Sequence, residues 1–86
     1  MDSSRELPDW WDWELELTPH LLKRMADRRF NEVELRTMLA EASDYAKQPD
    51  GRSIVFTQRE GRNWEVVVEP DSRDRVLLVI TAYPKD

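Results

Sequence analysis

From Trp11 onward the chain alternates. Trp11, Trp13, Leu15 and Leu17 are apolar, and Asp12, Glu14 and Glu16 between them are acidic. A period of two predicts a half-buried strand over residues 10–18, with its carboxylates turned outward against edge pairing. Thr18-Pro19 ends it and starts a helix, because threonine caps helix N-termini and proline is favoured at the first helical position. This helix is expected over residues 19–28, with Leu21, Leu22, Met25 and Ala26 as its apolar stripe. Asn31 opens a second helix, since a cap acceptor followed three residues later by Glu34 is a capping-box pattern. Leu35, Met38, Leu39, Ala42 and Ala46 continue at helical spacing until Pro49-Asp50-Gly51, which is turn chemistry.

Three strands are expected after that turn. Residues 53–59 form the first, and Glu60-Gly61-Arg62-Asn63 connects it to a second over residues 64–69, with Trp64, Val66 and Val68 on one face. Residues 70–74 are a longer turn. The last strand, R-V-L-L-V-I-T-A-Y, is apolar without a break from Val76 to Ile80, as in a strand inside a sheet. The order is β-α-α-β-β-β. It predicts an α+β domain, with two helices packed on one face of a four-stranded, mainly antiparallel sheet, and with the first strand beside the last.

Composition narrows the choice of chemistry. The chain has 86 residues and no cysteine, so one small domain without disulfides or thiolate metal sites is expected. Residues 1–9 are polar and read as a flexible tail, with residues 10–86 as the domain. No apolar run is long enough for a membrane span, and the N-terminus lacks the apolar core of a signal peptide, so a soluble cytoplasmic protein is expected. Six acids in residues 1–16 (Asp2, Glu6, Asp9, Asp12, Glu14, Glu16) against Arg5 account for the whole net charge of −5. The rest of the chain is balanced and has room for a basic face.

That face has one candidate. His20, the only histidine, lies with Arg24 and Arg28 at i, i+4 and i+8 on the first helix, within about 80° of arc. A neutral imidazole can take a proton and an arginine can neutralise a phosphate, the combination needed to cleave RNA through its own 2′-hydroxyl. The plainer alternative is a solvated helix surface, because lone histidines near helix starts are more often exposed or capping residues. Thr81 and Tyr83 are two apart on the last strand and could offer hydroxyls to a phosphate or stack on a base, or could simply close the core. Arg52 and Arg59 could widen a basic surface around the hairpin, or only solubilise it. An exposed Trp10 or Trp11 would mark a protein-binding patch. One histidine among scattered carboxylates has no metal-ligand spacing, so neither metal nor cofactor is expected.

The stretch E-L-T-P-H-L-L-K-R-M-A-D-R-R-F-N-E-V-E-L and the closing T-A-Y-P resemble a family of small bacterial and phage proteins known as a domain of unknown function, DUF4258. The likeness runs from Glu16 to Pro84, with H-x-x-x-R-M-x-x-R as its most specific part. The family is grouped with RelE-like and BrnT-like toxins, small α+β ribonucleases. The resemblance implies a metal-independent endoribonuclease of the kind that serves as the toxin of a toxin–antitoxin pair. His20, Arg24, Arg28 and Tyr83 would be its catalytic groups, and Thr81, Arg52 and Arg59 would bind substrate. RNA is then the expected ligand and an antitoxin or other protein the expected partner, with a homodimer as a further option. A glycine common in the family after the second arginine is Arg29 here. The alternative on the same scaffold is a non-catalytic, protein-binding regulatory module.

Overall fold

The computed structural model describes residues 8–85. Its elements are a 3-10 turn at Asp9–Asp12, then β1 (Glu14–Leu17), α1 (Pro19–Arg28), α2 (Glu32–Ala40), β2 (Asp44–Lys47), β3 (Ser53–Arg59), β4 (Arg62–Asp71) and β5 (Val76–Lys85). The α+β class is as expected. The sheet, however, is mixed and five-stranded, in the order β1-β5-β4-β3-β2, with β1 parallel to β5 and every other pair antiparallel.

The additional strand is β2, which lies where the second helix was expected to continue through Ala46. α2 stops at Ala40. The apolar spacing of Ala42 and Ala46 fits a helix, but long-range partners decide the outcome. Tyr45 packs edge-on to Trp10 at 5.4 Å between ring centroids and against Trp11 at 5.9 Å, while its backbone pairs with Val55. The same cluster explains why Trp10-Trp11 is not strand. Neighbouring residues of a strand point to opposite faces. In the 3-10 turn, closed by Trp11 N–H to Pro8 O at 3.1 Å, both rings reach Tyr45. Trp10 is therefore buried and Trp11 half-buried, and neither is an exposed patch. The expected tail, residues 1–9, falls mostly on residues 1–7, outside the described residues.

α1 begins and ends as its residues dictate. Thr18 Oγ1 accepts from Leu21 N–H at 3.1 Å and donates to Ile80 O at 3.0 Å, which ties the helix start to β5. Leu21 and Met25 are buried, but Leu22 is 51% exposed, so the apolar stripe is narrower than expected. Arg29 closes the helix in the left-handed conformation (φ 61°, ψ 47°), and the Phe30 N–H reaches back to Met25 O at 3.1 Å. The turn is thus of the glycine type, held by a residue with a Cβ. Arg29→Gly should raise stability by about 0.5–1 kcal/mol, because it relieves left-handed strain while the helix-closing hydrogen bonds remain. A urea midpoint below that of the wild type would contradict this. α2 carries the capping box read from the sequence, with Glu34 N–H to Asn31 Oδ1 at 2.9 Å and Asn31 N–H to Glu34 Oε1 at 3.0 Å.

Both helices cover one face of the sheet. Leu21, Leu35, Val55, Val66, Val68 and Val79 have at most trace exposure and form the centre of a single core with Trp10, Phe30 and Trp64. β3 and β4 are joined by Glu60-Gly61, both at positive φ (54° and 78°), the conformation a two-residue hairpin requires. β5 is interior, flanked by β1 and β4, as its apolar run suggested.

Candidate functional site

α1 presents the strip expected of it. His20 and Arg24 are exposed in its first two turns. Arg28 lies about two turns beyond Leu21 and nearly in line with it, so its stem is drawn against the core and the residue is half-buried. Its Nε is buried and, among the described residues, has no hydrogen-bond acceptor. Neither Arg24 nor Arg28 has an ion-pair partner among the described residues, although carboxylates are plentiful in this chain. Other cations are engaged: Arg36 with Glu32 at 2.9 Å, Arg52 with Glu69 at 3.7 Å, and Lys85 with Glu65 at 3.7 Å.

Arg59 is engaged more fully. Its side chain is 14% exposed and pairs with Glu34 and Glu60, each at 3.4 Å. The guanidinium lies 5.4 Å from the Phe30 ring centroid and 5.8 Å from that of Trp64, and it donates to Arg29 O. Arg59 therefore clamps the α1–α2 turn onto the sheet, with both terminal nitrogens of its guanidinium engaged. Arg52 lies on the other face of the sheet, paired with Glu69.

Thr81 and Tyr83 are not brought to the strip. In plain alternation they would follow Leu77 and Val79 onto the helix-covered face. A bulge intervenes: Val68 pairs with Val79 and Val67 with Thr81, so Ile80 is an extra residue in β5. It moves Ala82 into the core and turns Thr81 and Tyr83 to the opposite, open face, beside Val67 and Glu65. There the Tyr83 hydroxyl donates to Glu65 Oε1 at 2.7 Å. No hydrogen bond or ion pair connects Thr81 or Tyr83 with His20, Arg24 or Arg28 among the described residues. β1 covers β5 only as far as Val79, so among the described residues the backbone edge of β5 beyond Ile80 has no strand on that side.

The bond to Glu65, assisted by partial burial and the carboxylate's charge, raises the Tyr83 pKa above its ordinary value. Tyr83 is thus a neutral hydrogen-bond donor across the physiological range. A phenol whose pKa is raised by folding contributes its full stabilisation below the unfolded-state pKa, near 10, and loses it as pH rises through the folded-state pKa. Tyr83→Phe should therefore cost about 1 kcal/mol at neutral pH. It should also reduce the loss of stability above about pH 10. Equal alkaline slopes for variant and wild type in pH-dependent urea titrations would exclude this role for the bond.

The open face is the feature that sequence reasoning overlooked. Trp64, Val66 and Val68 drew attention to one side of β4, whereas Glu65, Val67 and Glu69 define the other. Among the described residues, no group of three or more side chains could hold a metal ion, and no helix is long and apolar enough to cross a membrane. The family model described as Domain of unknown function (DUF4258) matches residues 17–84. No curated protein and no solved structure matches the chain.

Proposed function

The chain belongs to the DUF4258 family, and from its α1 strip we propose that it is a RelE/BrnT-like endoribonuclease, working without a metal as the toxin of a toxin–antitoxin pair in the cytoplasm. The observation that carries this reading is that Arg24 and Arg28 have no ion-pair partner among the described residues, where the buried Arg28 Nε also lacks an acceptor. The buried Nε is itself closed to a ligand, but a guanidinium without a protein partner keeps its outer N–H groups for a phosphate oxygen. Arg24 and Arg28 would hold the scissile phosphate. His20 would take the proton of the 2′-hydroxyl, whose oxygen attacks the adjacent phosphorus as the bond to the 5′-oxygen breaks. The leaving oxygen takes a proton from water and the imidazolium returns its own to the hydroxide so formed, giving a 2′,3′-cyclic phosphate and a 5′-hydroxyl. Tyr83 and Thr81 lie across the sheet and are outside this core set.

The test is expression of the wild type and of His20→Ala, scored for growth arrest, together with RNA cleavage by the purified proteins. Cleavage by the wild type alone is the expected result. If the wild type leaves RNA intact and cells growing, the nuclease reading fails, and a protein-binding module on the same scaffold replaces it.

A further inference from the structure

Among the described residues, one face of the sheet carries no helix. The strand registers place Ile54, Phe56, Val67, Leu78 and Ile80 there, all half-buried and all outside the core cluster and the partly buried groups packed against it. The registers also fix what surrounds them. Phe56 is paired on one side with Asp44 and on the other with Glu65. Leu78 is flanked by Glu16 on β1 and Glu69 on β4, and Val76 by Glu14 and Asp71. Of the cations here among the described residues, Arg52 and Lys85 are ion-paired to the face's own glutamates, and Arg73 lines the hollow beside Glu16, Glu69, Asp71 and Asp74, outnumbered by them. The surface is an apolar centre within an acidic rim.

We propose that this open face docks a basic amphipathic helix of a partner protein, a role that does not depend on the nuclease reading. Charge selects the occupant. Two copies of the face would bring like-charged rims together, and a nucleic acid would meet the same repulsion. Residues 1–7 carry Asp2 and Glu6 against Arg5 and do not complement an acidic rim. Shape agrees with charge. At about 4.8 Å per strand, β3, β4 and β5 present a width of about 10 Å, which one helix covers.

The experiment uses the full chain, isotope-labelled for amide NMR, titrated with an amphipathic helical peptide of Leu and Lys and with its Leu/Glu counterpart. The Leu/Lys peptide should shift the amides of Ile54, Phe56, Val67, Leu78 and Ile80, and the Leu/Glu peptide should not. Binding should weaken with added salt, and by about tenfold in Glu16→Lys/Glu69→Lys, a loss that corresponds to roughly 1.4 kcal/mol. Leu78→Glu, which tests the apolar centre separately, should weaken it as well. The proposal is overturned if the two peptides bind alike, if the Leu/Lys peptide does not bind, or if the shifts fall instead on the groove between Trp11, Trp13, Leu15 and Leu39. His20→Ala should bind the Leu/Lys peptide as the wild type does, so a failure of the nuclease reading and a failure of this one are separable.

Discussion

Leu21→Ala should cost about 2–5 kcal/mol, the range for removing a fully buried leucine. A chain of this length has a total stability of about 4–13 kcal/mol, so this one change removes a substantial part of it, and all of it at the low end of that range. Leu21 is 0% exposed, and it is in the first turn of a helix of only 10 residues. A helix that short does not persist in water without tertiary packing. Its own N–H is the one capped by Thr18, whose hydroxyl also bonds Ile80, so the same turn carries both the core anchor and the tie to β5. Urea unfolding followed by tryptophan fluorescence gives the value directly. The neighbouring control is Leu22→Ala, at a residue 51% exposed, which should stay within about 0.5 kcal/mol of the wild type. Similar losses at both positions would mean that the helix is rotated from the face described here.

That pair of leucines shows what a periodic pattern can and cannot say. Thr18-Pro19 and Asn31 with Glu34 act through their immediate neighbours, and both helix starts were legible for that reason. The hairpin expected at Glu60-Gly61-Arg62-Asn63 forms as well, but its turn is only Glu60-Gly61, and Arg62 and Asn63 already pair with β3. Ala42 and Ala46 are small enough to suit a helix or a strand, and the choice falls to Tyr45, whose partners Trp10 and Trp11 are more than thirty positions away in the chain. No local signal holds that information. The Ile80 bulge is hidden in the same way. An unbroken apolar run does not reveal an inserted residue, yet the insertion decides that Thr81 and Tyr83 face away from α1. The site inferred from sequence joined two sets of residues that the sheet separates. The strip of His20, Arg24 and Arg28 survives as a contiguous helix surface, because its i, i+4 spacing needs only the helix to be formed.

His20→Ala should reduce RNA cleavage by about 10²–10⁴-fold, the usual contribution of a positioned general acid or base. It should leave stability within about 0.5 kcal/mol, since the residue is exposed and its side chain makes no hydrogen bond or ion pair among the described residues. Arg24→Ala should act on substrate binding: it should weaken RNA affinity and lower the slope of log K against log salt by about 0.7, one phosphate contact on a single strand. Arg28→Ala should show both the binding loss and some loss of stability, because its stem covers the core beside Leu21. Thr81→Val and Tyr83→Phe should stay within a few-fold of wild-type cleavage, as expected for groups on the far face whose hydroxyl, in Tyr83, is already given to Glu65. The comparison of His20 with Tyr83 decides between two paths for the RNA. A deep loss in His20→Ala with near-normal Tyr83→Phe places the reaction on α1 alone. Equal, deep losses in both would mean that the strand of RNA crosses the uncovered edge of β5 beyond Ile80 and is held from both sides of the sheet. Unchanged cleavage in His20→Ala would remove the imidazole from the mechanism altogether, and leave Arg24 and Arg28 as an anion-binding surface without a proton carrier.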